Sequence, residues 1–221
     1  MLLQVTYDYV LTLYMFIRIN PDKIDFNQLE KVVTILKSGG IIIYPTDSVY
    51  ALGCDMMNQK AVERLCRIKN IKPEKSTFSF ICSDLSLLSQ FARPIPNSIF
   101  RIIKKALPGP YTFILEASSQ VPKLLKQSRK TVGIRVPDNL ICKELVTALG
   151  NPIISTSLNN LDDELMDYFT DPENIFQQYK DKVDAVIDGG HGNIYPTTVI
   201  NVSNDEVEII REGLGDLSVI K

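Results

Sequence analysis

A chain of 221 residues with 45% hydrophobic side chains is long enough to bury one substantial core, and no linker divides it. Its 24 Lys and Arg against 26 Asp and Glu leave a net charge of −2, which is not the basic footprint of a dedicated nucleic-acid binder. Four widely spaced cysteines without a C-x-x-C pair argue against a zinc site or a disulfide framework, and fit buried thiols in a reducing compartment.

Residues 1–17 are rich in apolar and aromatic side chains, yet Asp8 interrupts them, no basic segment precedes them and no small-residue cleavage site follows. They are too short and too polar to span a bilayer. They read as an N-terminal extension or a first strand, with Met15 as an alternative start, ahead of a single domain over residues 18–221 of a cytoplasmic protein. Asp25 can cap a helix, with Gln28 three residues on as in a capping box, and Phe26, Leu29, Val33 and Leu36 share one face. Gly39-Gly40 closes that helix. Ile41 to Tyr44 is a continuous apolar run, as expected of a strand buried on both faces, and Pro45 stops it.

Pro45-Thr46-Asp47-Ser48 then sets a polar cluster at the carboxyl end of the strand, where the loops of an open α/β sheet splay apart and ligands bind. The same residues also fit an Asx or Ser/Thr turn that satisfies its own backbone. A second helix is expected over about Gln59 to Lys69, a strand over Thr77 to Cys82 and a short helix over Asp84 to Phe91. Pro96 can open a helix whose Ile99, Ile102, Ile103 and Ala106 face the core, and Pro108-Gly109-Pro110 breaks it. Tyr111 to Glu116 and Thr131 to Val136 read as strands, with a short helix over Pro122 to Lys126 between them. A helix from Leu140 to Leu149 ends at Gly150, a strand follows at Ile153 to Ser155, and Asp171-Pro172 starts a helix through Tyr179. Ala185 to Ile187, Thr198 to Val202 and Val207 to Ile210 complete the strands. Helices alternate with buried strands early and strands crowd together late. This predicts an α/β fold, a single-domain twisted mixed sheet with helices on both faces.

Several common sites lack their residues. There is no G-x-x-x-x-G-K-[ST], no G-x-S-x-G and no G-x-G-x-x-G, so a P-loop, a serine-hydrolase elbow and a dinucleotide fingerprint find no support. The only histidine, His191, lies in the turn Asp188-Gly189-Gly190-His191-Gly192-Asn193, which suits a structural or solvated residue better than a general base. Of two basic clusters, Lys123, Lys126, Arg129 and Lys130 read as a solvated surface, while Arg64, Arg67, Lys69, Lys72 and Lys75 lie near a candidate site. What remains is hydroxyls, cations and backbone amides at strand ends, a set that can position two substrates and stabilise phosphate charge without a covalent nucleophile. Arg135 follows a glycine inside an apolar strand and needs a partner there. An internal carboxylate and the ligand cleft are the two options, and the strand end at Pro137 favours the cleft.

The polar cluster does not stand alone. Pro45-Thr46-Asp47-Ser48-Val49-Tyr50-Ala51-Leu52-Gly53, Pro108-Gly109-Pro110-Tyr111-Thr112, Gly133-Ile134-Arg135-Val136-Pro137, Ser155-Thr156-Ser157-Leu158-Asn159, Pro196-Thr197-Thr198-Val199 and Arg211-Glu212-Gly213 follow in order. Together they resemble the YrdC/YciO family from about Phe26 to Gly213, in detail more its YciO branch. The resemblance implies a YrdC-like domain and an L-threonylcarbamoyladenylate synthase, a nucleotidyltransferase-type activity that starts a tRNA modification. Bicarbonate and the amino group of L-threonine would give a carbamate whose oxygen attacks the α-phosphorus of ATP, releasing pyrophosphate, with Mg2+ on the triphosphate. By the same resemblance, Lys69, Lys72 and Arg135 would be catalytic, and Thr46, Tyr50, Thr112 and Ser155 would bind threonine. Ser157, Asn159, Thr197 and Arg211 would bind the nucleotide, and no protein residue is expected to hold a resident metal. For Thr112, packing as a β-branched strand residue is the alternative.

One signature departs. The family's K-x-R reads Lys69-Asn70-Ile71 here, and its Lys-Pro-Leu reads Lys75-Ser76-Thr77. A charge-assisted hydrogen bond contributes about 1.5–3 kcal/mol, so losing one at the transition state slows a reaction on the order of ten- to a hundredfold. Lys72 can substitute in part, as a point charge without arginine's fork. The readings are therefore a slow or altered threonylcarbamoyl-AMP synthase, possible partners of which include a downstream tRNA-modifying complex, or an adenylating enzyme for another amine. An RNA-binding protein of the same fold, on double-stranded RNA, tRNA or rRNA and without this chemistry, is the alternative of another class.

Overall fold

The computed structural model describes residues 15–73, 76–122, 125, 130–158, 169–204 and 206–220. Among the described residues ten strands form one sheet: β1 Met15–Arg18, β2 Ile41–Tyr44, β3 Ala51–Asp55, β4 Ser79–Ile81, β5 Tyr111–Glu116, β6 Thr131–Arg135, β7 Ile153–Ser157, β8 Ala185–Asp188, β9 Thr198–Asn201 and β10 Glu208–Arg211. Among the described residues the helices are α1 Phe26–Lys37, α2 Gln59–Ile68, α3 Leu85–Phe91, α4 Asn97–Ala106, α5 Leu140–Leu149 and α6 Pro172–Tyr179. β1 spans the residue-17 boundary between the expected N-terminal segment and the domain. The expected helix at Pro122 to Lys126 falls largely outside the described residues.

Local chemistry sets the helix starts. The side chains of Asp25, Asn58, Asp84, Asn139 and Asp171 each accept a backbone N–H of the first turn. Each cap of this kind contributes about 0.5–2 kcal/mol. The capping box at α1 is only half made, because Gln28 Oε1 takes Lys31 Nζ at 3.2 Å. Phe26 also departs from expectation: it is 64% exposed, and Val32 joins Leu29, Val33 and Leu36 on the buried face.

The sheet runs in the order β1-β8-β2-β3-β7-β4-β6-β5-β9-β10 and is mixed. β1, β8 and β2 are parallel, as are β4 with β6 and β5 with β9, while β2–β3, β3–β7, β4–β7, β5–β6 and β9–β10 are antiparallel. Side chains of a strand alternate between faces. In β2, Ile41 and Ile43 join a core with α2, α3, α4 and α6, whereas Ile42 and Tyr44 join a second core with α1 and α5. All four are fully buried, so the apolar run is what a strand covered on both sides requires. This is a single-domain α/β sheet with helices on both faces.

β3 has no counterpart among the elements expected from the sequence. It forms a hairpin with β2, pairing Ile41 with Cys54 and Tyr44 with Ala51. All four cysteines are buried thiols. Burial pushes Cys54, Cys82 and Cys142 above the ordinary thiol range. No helix among the described residues is long and apolar enough to cross a membrane.

Candidate functional site

α1 and α5 cover only part of their face of the sheet. Beyond them, β7, β4, β6, β5 and β9 turn Ser155, Ser79, Gly133, Thr112, Ile114 and Val199 toward a cavity of about 660 Å³. The strand register explains the hollow. Ser155 lies opposite Ser79, Ser79 opposite Gly133, and Gly133 opposite Ile114, so one row across four strands carries mostly small side chains. Ser79 was not singled out from the sequence, although Thr77-Phe78-Ser79-Phe80 alternates and puts its hydroxyls on one face.

Arg135 stands at the end of β6, on the same face as Gly133, and is only 7% exposed. Its Nη2 donates to Asp47 Oδ1 at 2.8 Å and to Ser48 Oγ at 3.0 Å, with Thr46 Oγ1 at 3.4 Å. Asp47 Oδ2 in turn accepts the Asp138 N–H at 2.9 Å. The two options for Arg135 are thus both realised. It pairs with an internal carboxylate and also lines the cavity. Its Nε is the one buried side-chain nitrogen or oxygen without a partner among the described residues.

Other cations reach the wall from separate elements. Lys69, the residue after α2, is buried and donates from Nζ to the carbonyls of Ser157 and Leu158 at 3.0 and 3.2 Å. Arg211 comes from β10, where a register shift leaves Ile210 unpaired between Ile209 and Arg211. Such a bulge re-aims side chains, and here both Ile210 and Arg211 line the cavity. Arg211 Nε and Nη2 donate to the Thr197 carbonyl at 3.2 and 2.9 Å. Thr197 Oγ1 shares a hydrogen bond of 2.8 Å with Thr112 Oγ1.

The structure therefore brings together Lys69, Arg135, Thr112, Ser155, Ser157, Thr197 and Arg211 on one wall. It does not bring Lys72, which is exposed and off the wall; a cation two residues beyond the end of the Lys69 turn faces solvent. Tyr50 is also off the wall. Its hydroxyl donates to the Gly190 carbonyl at 2.6 Å and accepts from Gly189 N, and burial pushes it up to about 12. Thr46 is off the wall too: it closes its own turn, accepting from Ser48 N and donating to the Val49 carbonyl, and meets Arg135 Nη2 at 3.4 Å behind the lining. Asn159 and Lys75, with Lys123, Lys126 and Arg129, lie outside the described residues. Ile71 lines the cavity and packs partly against the larger core.

The family model Sua5_yciO_yrdC, described as telomere recombination, matches residues 34–213. The Escherichia coli (strain K12) protein named "Uncharacterized protein YciO" is 43% identical over 203 residues, 91% of this chain and 97% of that one. The crystal structure of E. coli YciO superposes with a TM-score of 0.86 at 41% identity, covering 95% of this chain and all of the other. A Coxiella burnetii threonylcarbamoyl-AMP synthase is 31% identical over 186 residues, 83% of this chain and 97% of that one. P. abyssi Sua5, crystallised with L-threonine, gives a TM-score of 0.81 at 24% identity, covering 90% of this chain and 57% of that one, a likeness of fold. Fold, motif order and a 180-residue match agree, and the chain belongs to the Sua5/YciO/YrdC family.

Proposed function

We propose that the protein is a threonylcarbamoyl-AMP synthase-like enzyme that joins L-threonine, bicarbonate and ATP and releases pyrophosphate. The observation that carries this reading is the cavity wall: Lys69, Arg135 and Arg211 with the hydroxyls of Thr112, Ser155, Ser157 and Thr197, and no carboxylate among the described lining residues. A wall of this kind favours an anionic, hydrogen-bond-rich ligand. Support also comes from the Coxiella relative's named activity.

The threonine amine adds to bicarbonate and water is lost, giving the carbamate; its oxygen attacks the α-phosphorus, and the bond from that phosphorus to the bridging oxygen of pyrophosphate breaks. Arg135 presents a fixed cation to a ligand oxygen, its Nη2 held by Asp47. Lys69 and Arg211 offset phosphate charge, and Ser157, Thr197 and Asn159 hold the nucleotide. A Mg2+ ion brought with ATP would neutralise part of the triphosphate charge, and the described lining residues offer no carboxylate to hold one in advance. The buried floor limits water around the labile adenylate. Thr46 acts behind Arg135, and we place the protein in the cytoplasm.

The test is pyrophosphate release from ATP and bicarbonate with a panel of amino acids. L-threonine should give the fastest release. ATP binding without release for any amino acid would remove the synthase reading, and a salt-dependent gel shift with double-stranded RNA or tRNA would then favour the RNA-binding one.

A further inference from the structure

Tyr44 lies outside the cavity, yet it touches the wall from behind. Its ring is fully buried in the core that α1 and α5 cover. The phenol donates to Ser155 Oγ at 2.8 Å, and Ser155 lines the cavity. β2 and β7 are not neighbours: β3 lies between them. The ring can cross only because the residue below it is a glycine, since a Cβ on Gly53 would stand 2.7 Å from Tyr44 Cε1. Gly53 is also the residue opposite Ser155 in the β3–β7 ladder.

We propose that Tyr44 is a positioning residue that presets Ser155 as a hydrogen-bond donor toward an anionic ligand oxygen in the cavity; this rests on the reading of the cavity as a ligand site. A serine hydroxyl has one hydrogen and two lone pairs. Tyr44 fills one lone pair, and no protein acceptor takes the Ser155 hydrogen among the described residues. That hydrogen is left for the cavity. Burial raises the phenol far above its ordinary range, so it stays a donor at any working pH. With the phenol replaced by an apolar ring, Ser155 could turn its hydrogen away and present a lone pair, which repels an anionic oxygen.

The test is a double-mutant cycle on ligand affinity. L-threonine and ATP are titrated calorimetrically into the wild type, Tyr44→Phe, Ser155→Ala and the double variant, with thermal unfolding in parallel. Tyr44→Phe should weaken one of the two ligands by roughly three- to tenfold. In the Ser155→Ala background the same change should have no further effect on affinity. Gly53→Ala, which displaces the ring and keeps its hydroxyl, should weaken the same ligand and likewise lose its effect beside Ser155→Ala. Unchanged affinity in Tyr44→Phe, or effects that multiply in the double variant, would overturn the proposal and leave the synthase reading standing. A wild type that binds neither ligand would overturn both.

Discussion

At the scale of single residues, Arg135 governs what substitutions at the site will do. The sequence made its need for a partner legible, because an arginine between Gly133-Ile134 and Val136-Pro137 has no solvent to turn to. Asp47 could not be chosen as that partner from spacing, since the contact joins residues 88 positions apart. Side chains of both residues are under a tenth exposed, so removing the guanidinium strands a buried carboxylate. Breaking such a pair costs about 3–5 kcal/mol, whereas replacing both partners is far milder. Arg135→Leu should therefore unfold at clearly lower urea concentration than the wild type, and Asp47→Asn with Arg135→Leu should recover most of the loss. Equal midpoints for the single variant and the wild type would show that the Asp138 N–H suffices for Asp47. Ile71 gives a second prediction at this scale. Ile71→Arg places a cation on the wall and should raise threonine-dependent pyrophosphate release roughly tenfold, if one charge-assisted contact is regained. Its unfolding midpoint should fall slightly, because Ile71 also packs on the core. A rate that does not rise would detach the missing arginine from the speed of the reaction.

Among the elements, those with strong local signals were readable: a run of four buried residues for β2, the Asp25 and Asp171 caps, and Gly150 at φ +86 closing α5. β3 was not, because its sequence Ala-Leu-Gly-Cys-Asp has small residues where a strand usually shows β-branched ones. Those small residues have a packing reason. A Cβ on Gly53 would meet Tyr44 at 2.7 Å and Ile153 Cγ2 at 2.8 Å. Gly53→Ala should thus destabilise the protein by about 1–3 kcal/mol through overpacking, although alanine suits a strand better than glycine. A denaturation midpoint at or above the wild type's would mean that the ring has room to move. β10 illustrates another limit. Its four residues are all exposed, and Glu208, Arg211 and the bulge at Ile210 are the devices by which an edge strand avoids pairing with other chains.

For the molecule as a whole, class and mixed character could be inferred from the order of strands and helices, but strand order could not. Pairings such as β1 with β8 or β5 with β9 are fixed by side chains far apart in the chain, and no local pattern encodes them. Burial across the sheet also sets the response to alkali. Tyr50 ionises at about 12 in the folded protein, against about 10 in an unfolded chain. Between those values the folded state keeps a proton that the unfolded state has lost, so stability falls as pH rises through the window. Tyr50→Phe should show a shallower alkaline decline in urea midpoint than the wild type. Parallel declines would assign the slope to the other buried phenols.

The placement of β8 bears on how the chain is made. On a ribosome, residues 41–44 emerge early, but the strand that covers their outer edge is residues 185–188. β3 can fold back on one side of β2 at once; the other side waits for everything from β3 to α6 to be translated. Throughout that interval three isoleucines and a tyrosine carry an unpaired row of backbone groups, a segment prone to stick to other nascent chains. A fragment ending before residue 185 should accordingly be recovered in the insoluble fraction, or bound to a holding chaperone, under conditions where the full chain is soluble. A soluble, folded fragment would mean that another strand can take the place of β8. The outer edge of β2 is thus closed only once residues 185–188 have been made.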